Sequence, residues 1–309
     1  MGKFILTALL RLLSLLPLKV HYAFGGAMGW LARCVFRYRC DIVMANLARS
    51  FPDRKYKELR QISRDFYRHL GDLIAETIWF MGSSEKRVRR SRICSYENPE
   101  VLSDAFNSSS NGVILMNSHI GNWEIMGGYK SYNYTPAPLP FDDRHMCVLY
   151  KKLHSKAWDA VLTKGRLHLM TLPDYDGYIE TRNWMRYALS HKGVKKIYHC
   201  PMDQYPYSIA TPLQVDDFMH QKTVSMAGGA AIARKLHMPV VYMCSRSESR
   251  GRYVQHFELI TADASQLSAE QIMNKYYSLL QTDIEKQPWN YLWSHKRWKP
   301  ERVQEATNT

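Results

Sequence analysis

The residues best placed to do chemistry are a histidine and a glutamate, His119 and Glu124, in the segment Val113 to Gly128. The segment reads VILMNSHIGNWEIMGG and opens on an apolar run that follows a stretch rich in Ser, Asn and Gly. Such a run predicts a strand buried on both faces, followed here by a polar loop and then a helix. Because α/β proteins place their sites in loops at the carboxyl ends of parallel strands, we expect a site in this loop.

The five-residue separation does not put His119 and Glu124 on one face of a regular helix. Across a loop-to-helix junction, however, the carboxylate can turn back to the imidazole, fix its tautomer and leave the other ring nitrogen as a general base. Ser118 adjoins the histidine but lacks the glycine-flanked elbow of a serine nucleophile. A base without its own nucleophile indicates that the substrate supplies one, typically a hydroxyl that attacks an activated acyl group. The alternative is structural, with His119 an ordinary loop histidine and Glu124 a charge favoured by the helix dipole.

Composition narrows the class of partner. The 309-residue chain is long enough for a sizeable core, and its 42 Lys and Arg against 28 Asp and Glu give a net charge of +14. That balance suits nucleic acid, an anionic membrane or an acidic partner. Nucleic acid is disfavoured because the sequence has no zinc-finger spacing, glycine-rich phosphate loop or RNA-binding aromatic signature. The six cysteines form no paired framework, which fits a reducing compartment, and no histidine pair has metal-ligand spacing, so no metal is expected.

Two apolar stretches, at residues 4–16 and 20–36, dominate the N-terminus and are interrupted by basic residues. Neither reaches the roughly 20 clean residues of a spanning helix, and no small-residue cleavage site follows. The basic residues favour anionic headgroups. We therefore expect residues 1–40 to form a helical membrane anchor that dips in or spans shallowly, although an amphipathic core helix has the same pattern.

The remaining chain alternates predicted helices and strands. This order predicts an α/β fold with a mixed sheet flanked by helices, behind the N-terminal helical membrane annex. The main domain would cover residues 41–300, and residues 301–309 would be a frayed tail. Helices are expected over 41–50, 54–80, 176–191, 223–237 and 268–286, and strands over 145–150, 194–200, 239–244 and 253–260. Residues 135–140 are expected to form a Pro-rich connection, and residues 205–217 a loop that could shape the acyl groove.

Several motifs together resemble one family. NSHIGNWE resembles the His-x4-Asp/Glu motif of the glycerolipid and lysophospholipid acyltransferase superfamily, and its HxGNWE form is similar to the lipid A late acyltransferases of the lauroyl/myristoyl branch. The segment from Lys151 to Arg166, with the pattern YKK…WD…KGR, resembles the family's YRP…D…GR segment. YLWSHKRW at 291–298 resembles its YLWxHxRW block, and the N-terminal stretch resembles its membrane helix.

The resemblance implies roles for six residues. His119 would be the general base and Glu124 its orienting carboxylate. Lys151 and Arg166 would meet a phosphorylated glycolipid or carrier, although lysine stands at position 151 where arginine is usual and loses bidentate phosphate geometry. Asp203 and Gln204, at the end of a predicted strand, resemble the family's substrate-orienting pair.

The resemblance also implies a reaction and a place. A fatty acyl chain would pass from acyl carrier protein to a hydroxyl of a lipid A precursor, a glycolipid, at the cytoplasmic face of the bacterial inner membrane. No cofactor is needed because a thioester is already activated. Three alternatives stay open: another acceptor such as an aminolipid or polyene lipid, a non-catalytic basic membrane-binding or scaffold protein, and thioester hydrolysis, which is disfavoured because water activation would need a pocket open to solvent.

Overall fold

Helices and strands alternate along the chain in a computed structural model that describes residues 2–128, 139–153, 155–206 and 212–299. The predicted tail 301–309 and most of the predicted loop 135–140 lie outside these ranges. The described helices are α1 (Gly2–Ser14), α2 (Leu18–Cys34), α3 (Cys40–Ser50), α4 (Tyr56–Phe80), α5 (Glu85–Ser91), α6 (Pro99–Ser108), α7 (Lys156–Arg166), α8 (Trp184–Ser190), α9 (Gly228–Lys235) and α10 (Ala269–Lys286). The described strands are β1 (Cys94–Tyr96), β2 (Gly112–Asn117), β3 (Met146–Tyr150), β4 (Tyr178–Glu180), β5 (Lys196–Pro201), β6 (Pro212–Phe218), β7 (Gln221–Met226), β8 (Val240–Ser249) and β9 (Arg252–Thr261).

Seven of these strands form one mixed sheet in the order β1-β9-β8-β2-β5-β3-β4. All neighbouring pairs are parallel except β8 and β9, which form an antiparallel hairpin. The predicted mixed α/β sheet is therefore confirmed. Strand β2 lies in the middle, between β8 and β5, and all six of its residues are buried.

The apolar side chains of β2 point alternately into two cores. Ile114 and Met116 pack in the cluster that contains α3, α9 and α10 residues, whereas Val113 and Leu115 pack in the cluster that contains α6 residues. Alternation is the rule for a strand, so burial of both faces requires the continuous apolar run that the sequence shows. Helices therefore pack against both faces of the sheet.

Capping residues mark the N-terminal ends of two long helices. The side chain of Glu58 accepts a hydrogen bond from the backbone N–H of Lys55 (2.8 Å) at the start of α4. At the start of α10, Ser268 accepts from the N–H of Gln271, and the Gln271 side chain accepts from the N–H of Ser268. Such reciprocal caps satisfy backbone donors that a helix leaves unpaired at its N-terminus.

Three expectations about secondary structure are wrong. The predicted helix 176–191 begins as edge strand β4, where the Tyr178 ring stacks on Tyr150 of β3 at 4.0 Å, and only its second half is helical. The predicted helix 223–237 begins as β7, because the β-branched Thr223 and Val224 pair with β6, itself part of the predicted loop 205–217. In both cases pairing with another strand overrides the local helical pattern. The segment Trp123–Gly128 is a kinked 3-10 helix rather than a regular one.

The N-terminal helices pack onto α4 through glycines. Gly25 and Gly29 of α2 are buried and face Gly71 of α4 closely enough for backbone atoms to meet across the crossing. Helix α1 also contacts α4. None of the described helices has the length and apolar character that crossing a membrane requires. The helical annex exists as predicted, whereas its attachment to a membrane stays a prediction.

The neighbouring glycines of α2 provide a matched test of this crossing. A methyl group at Gly25 would lie 2.6 Å from the Gly71 carbonyl oxygen, whereas one at Gly26 would meet nothing closer than Arg250 Nη2 at 3.9 Å. We expect Gly25→Ala to lower the free energy of unfolding by about 1–3 kcal/mol through overpacking. Gly26→Ala should leave it unchanged or raise it by up to about 1 kcal/mol through helix propensity. Chemical denaturation of both variants in the same detergent measures this, and equal effects would contradict the close crossing.

Candidate functional site

The site lies at the carboxyl edge of the sheet, where β2 and β5 end side by side. The two strands are parallel, with Asn117 opposite Pro201, so the loops that follow them leave the sheet at the same level. His119 lies two residues beyond the first strand end and Asp203 two residues beyond the second. The sheet therefore brings together two residues that are 84 positions apart in sequence.

Two tyrosines of α10 donate hydrogen bonds to backbone carbonyl groups at the ends of these two strands. The Tyr276 hydroxyl donates to the Asn117 carbonyl oxygen (2.8 Å), and the Tyr277 hydroxyl donates to the Met202 carbonyl oxygen (3.0 Å). Both rings are buried. The sequence analysis did not single them out, because adjacent tyrosines in an amphipathic helix look like ordinary core residues.

Asp203 contacts His119 twice. The ring Nδ1 donates to Asp203 Oδ1 at 2.7 Å, and the backbone N–H of His119 donates to Asp203 Oδ2 at 3.0 Å. The carboxylate is 2% exposed and the imidazole 14% exposed, so the aspartate is enclosed while the histidine keeps one side open. With Nδ1 protonated in this way, Nε2 carries the lone pair of a general base.

The contact between His119 and Asp203 also shifts the pKa of both residues. Burial alone lowers the pKa of His119, but the negative charge of Asp203 and the hydrogen bond to it outweigh burial, and the net pKa lies above the ordinary value. Burial likewise raises the pKa of Asp203, yet the attraction of His119 and both hydrogen bonds hold it below the ordinary value. Asp203 is therefore an ionised acceptor that stabilises a protonated His119.

Gln204 forms a hydrogen bond with the other nitrogen of the His119 imidazole. Its side-chain Nε2 lies 3.0 Å from His119 Nε2 and donates to it. A substrate hydroxyl that is to be deprotonated by His119 must take this position. Asp203 and Gln204, expected to orient substrate, thus both contact the histidine itself in the structure.

The expected contact between Glu124 and His119 is replaced by a different pairing. The Glu124 carboxylate accepts two hydrogen bonds from the guanidinium of Arg166, from Nε at 2.8 Å and from Nη2 at 2.9 Å. Arg166 Nη1 donates to the hydroxyl of Tyr178 (2.9 Å). The physical reason is that the planar fork of arginine matches a carboxylate bidentately, which a single imidazole nitrogen cannot do.

Glu124 nevertheless stays close enough to His119 to act on its charge. The charge of Glu124 raises the pKa of His119, and that of Arg166 lowers it. Burial lowers the pKa of Arg166, but Glu124 and Tyr178 outweigh burial and raise it. The described hydrogen bonds of Arg166 thus go to protein groups, and its expected contact with a phosphorylated substrate stays a prediction.

The open side of His119 faces a cavity of about 660 Å³. Its volume falls in the range of small-molecule sites, about 300–1,000 Å³. The walls are mainly apolar, and the polar lining residues include His119, Glu124 and Gln204. Apolar lining residues include Val148, Leu149, Met170, Trp184, Met202 and Met226. The arrangement suits a long apolar chain whose reactive end meets His119.

Neither of the two candidate protein nucleophiles suits this cavity. Ser118 is 4% exposed, its hydroxyl has no hydrogen-bond partner among the described residues, and it lies outside the cavity lining. Cys200 lines the cavity, but burial raises the pKa of its thiol far above the ordinary value, so the nucleophilic thiolate is disfavoured. The site is therefore compatible with a nucleophile brought by the substrate.

Two cationic residues lie at the wall of the cavity near solvent. Lys151 is exposed and lines it, as expected for a residue that meets an anionic substrate. Arg182 also lines it, with a side chain that is 76% exposed and only a loose contact of 4.0 Å to Glu180. The sequence analysis did not single out Arg182, because it lies in the segment wrongly expected to be a regular helix.

Comparison with known proteins identifies one family. The model of the bacterial lipid A biosynthesis acyltransferases matches residues 1–169 and 210–300. No individually curated protein matches the chain. The matched ranges include the histidine loop, α7 and the C-terminal YLWSHKRW block.

A nuclear magnetic resonance titration of His119 distinguishes the two carboxylates near it. We expect Asp203→Asn to lower the pKa of His119 markedly, because it removes the nearest charge while burial remains. Glu124→Gln should lower it less, because the charge of Glu124 raises the pKa of His119 less than the charge and hydrogen bond of Asp203 do. The His119 signal is assigned with His119→Gln. A larger shift in Glu124→Gln than in Asp203→Asn would contradict this geometry and favour the contact expected from the sequence.

Proposed function

We propose, from the premise that the chain belongs to the bacterial lipid A biosynthesis acyltransferase family, that it transfers a lauroyl- or myristoyl-type chain from acyl carrier protein to a hydroxyl of a lipid A precursor. The family makes the chain an acyltransferase of lipid A synthesis. The donor, the chain type and the place of reaction are our proposal. The observation that carries it is His119 Nε2, directed at an apolar cavity and supported from behind by Asp203.

The proposed reaction needs one base and no protein nucleophile. The acceptor hydroxyl displaces the Gln204 amide, and His119 Nε2 takes its proton as the oxygen attacks the thioester carbonyl carbon. The tetrahedral intermediate then collapses, the C–S bond breaks, and the imidazolium gives its proton to the leaving carrier thiolate, which restores neutral His119. An ester and a free thiol result, so protons and electrons balance within the two substrates.

Asp203 and Glu124 take different parts in this scheme. Asp203 orients His119 and stabilises the imidazolium formed during attack, since its carboxylate binds the ring and the backbone of that residue. Glu124 and Arg166 line the cavity as an ion pair. They keep a polar wall beside the reacting carbonyl, and through their opposite charges they limit how strongly the imidazolium is favoured.

The charges at the cavity suit both anionic substrates. Acyl carrier protein is acidic and the acceptor carries phosphates, whereas the chain has a net charge of +14. Lys151 and Arg182 line the cavity, where they could bind a phosphate of the acceptor or an acidic group of the carrier. Opposite charges also speed the encounter of a protein donor with its enzyme.

The N-terminal helices support a site at the cytoplasmic face of the inner membrane. On α2 four exposed apolar residues, Val20, Phe24, Met28 and Leu31, recur at spacings of four, four and three, which places them on one helical face. Leu9 and Leu12 of α1 are also exposed. Exposed apolar surface of this extent marks a contact site, and interspersed Arg11, Lys19 and Arg33 favour anionic lipid. All six cysteines are free thiols, which agrees with the cytoplasmic side.

Loss of the base should abolish transfer. We expect His119→Ala to lower the rate by about 10²–10⁴-fold, the usual contribution of a general base, and Glu124→Gln to lower it strongly while leaving the fold intact. The assay follows thiol release and the acylated lipid A precursor by mass spectrometry, with acyl carrier protein and acyl-coenzyme A offered as alternative donors. Ser118→Ala is the matched control and should keep its rate. A His119→Ala protein with more than about a tenth of the normal rate would rule out the base mechanism.

Acidic substitutions on α1 should release the protein from membranes. The Leu12 side chain is 67% exposed, and burying a leucine in lipid contributes about 1.5–3 kcal/mol. We expect Leu12→Glu to lower partition into anionic phospholipid vesicles by at least about tenfold. Leu259→Glu, at a residue of β9 that is 52% exposed, is the control and should bind as the unaltered protein does. Equal partition of both variants would show that α1 does not contact lipid.

A further inference from the structure

A second buried carboxylate lies behind the histidine loop. Glu76, near the C-terminal end of α4, is 0% exposed. Its Oε1 accepts from the Tyr22 hydroxyl (2.8 Å), and its Oε2 accepts from Asn122 Nδ2 (2.7 Å) and from the Tyr253 hydroxyl (2.9 Å). These donors are all neutral. Enclosing a carboxylate among neutral groups is costly, so its presence calls for a reason beyond packing.

The Asn122 contact leads directly into the loop that carries His119. Asn122 is 2% exposed, and both ends of its amide are used. Its Nδ2 donates to Glu76, while its Oδ1 accepts from the backbone N–H of Glu124 at 3.0 Å. Only one orientation of the amide satisfies both contacts when Glu76 is ionised, because the carboxylate offers only acceptors and the Glu124 N–H is only a donor.

We infer that Glu76 is a positioning residue, which fixes the amide of Asn122 and thereby holds the backbone of the loop between His119 and Glu124 in its working conformation. The activity readout of this inference rests on the proposed function. Glu76 touches neither the cavity nor the reacting atoms. Small displacements of reacting groups cost large factors in rate, of the order of 10²-fold per ångström, so a residue that fixes the loop acts on turnover.

The charged and titratable neighbours of Glu76 bear on its pH dependence. Tyr22 of α2 and Tyr253 of β9 donate to it, Asp72 lies one turn earlier on α4, and Arg250 between β8 and β9 binds Asp72 through two hydrogen bonds. Burial raises the pKa of Glu76 to about 7 against the opposing effect of its three hydrogen bonds. The carboxylate therefore changes its charge near neutral pH.

Reversing the donor and the acceptor tests the inference. In Asn122→Asp the new carboxylate still accepts from the Glu124 N–H but meets Glu76, so the two acids must share a proton. We expect near-normal kcat/KM at about pH 6 and a loss of about 10²-fold by about pH 9, as that proton leaves and the carboxylates repel. The unaltered protein should show no such loss at high pH, since a larger fraction of His119 is then in the unprotonated form that accepts a proton.

Adding Glu76→Gln to Asn122→Asp should restore the loop. The glutamine amide then donates to the carboxylate introduced at position 122 in place of the lost contact, and no shared proton remains. In consequence kcat/KM should return to within about tenfold of normal at about pH 9. Tyr22→Phe is the matched control. It removes a hydrogen bond from the same carboxylate on the side away from Asn122 and should leave the loop and the pH profile unchanged.

Hydrogen exchange of the peptide that contains the Glu124 amide gives a readout independent of activity. At high pH this amide should exchange faster in Asn122→Asp and recover its protection in the double variant. Melting temperatures of all variants separate a loop effect from unfolding, and the single variant is compared at low pH if it unfolds at high pH. A double variant no better than Asn122→Asp in both readouts would overturn the positioning role. An inactive but normally protected unaltered protein would instead overturn the proposed function.

Discussion

The double contact between His119 and Asp203 depends on two parallel strands ending at the same level. Strands β2 and β5 are neighbours in the sheet, and their paired residues run to Asn117 and Pro201. His119 and Asp203 each lie only two residues beyond the end of their strand, so their side chains come into contact. Because the Asp203 carboxylate binds the His119 backbone as well as its ring, the aspartate orders the loop and selects the tautomer together. A shift of register between these strands would lose both.

Local pattern was enough to predict the strand and the histidine, but not the partner of the histidine. The apolar run of β2 is a local signal, and so are the amphipathic periods of α4 and α10, which the structure confirms. Asp203 lies 84 residues from His119, and the order of strands that makes them neighbours leaves no mark on local periodicity. The same limit explains β4, whose partner β3 lies in a separate part of the chain. Strand β7 pairs with the adjacent β6, and its β-branched residues are a local signal for a strand. The family resemblance named residues that the structure places beside the cavity or against His119, without revealing which of them touch.

The exchange of partners between the two carboxylates has a chemical logic. A general base must accept a proton and then give it up, so its conjugate acid cannot be stabilised without limit. Asp203 is the one carboxylate bonded to His119 among the described residues, and the second acid nearby, Glu124, is bound to Arg166. In the mechanism that we propose, a second uncompensated carboxylate would stabilise the imidazolium further and make the return of its proton harder. The ion pair thus keeps polar groups at the cavity wall with little net charge acting on the histidine.

Helix α4 joins the apolar annex to the site. The backbone of α2 packs closely against Gly71 of this helix. Glu76, five residues further along, accepts hydrogen bonds from Tyr22 of α2 and from Asn122 of the histidine loop. A helix is stiff over such a distance, so the exposed apolar face of α2 and the histidine have a fixed separation and orientation. An amphiphile held at that face with its chain in lipid would meet the cavity from one direction only. The hydrogen bonds of Glu76 therefore link α2 and the histidine loop to the same helix.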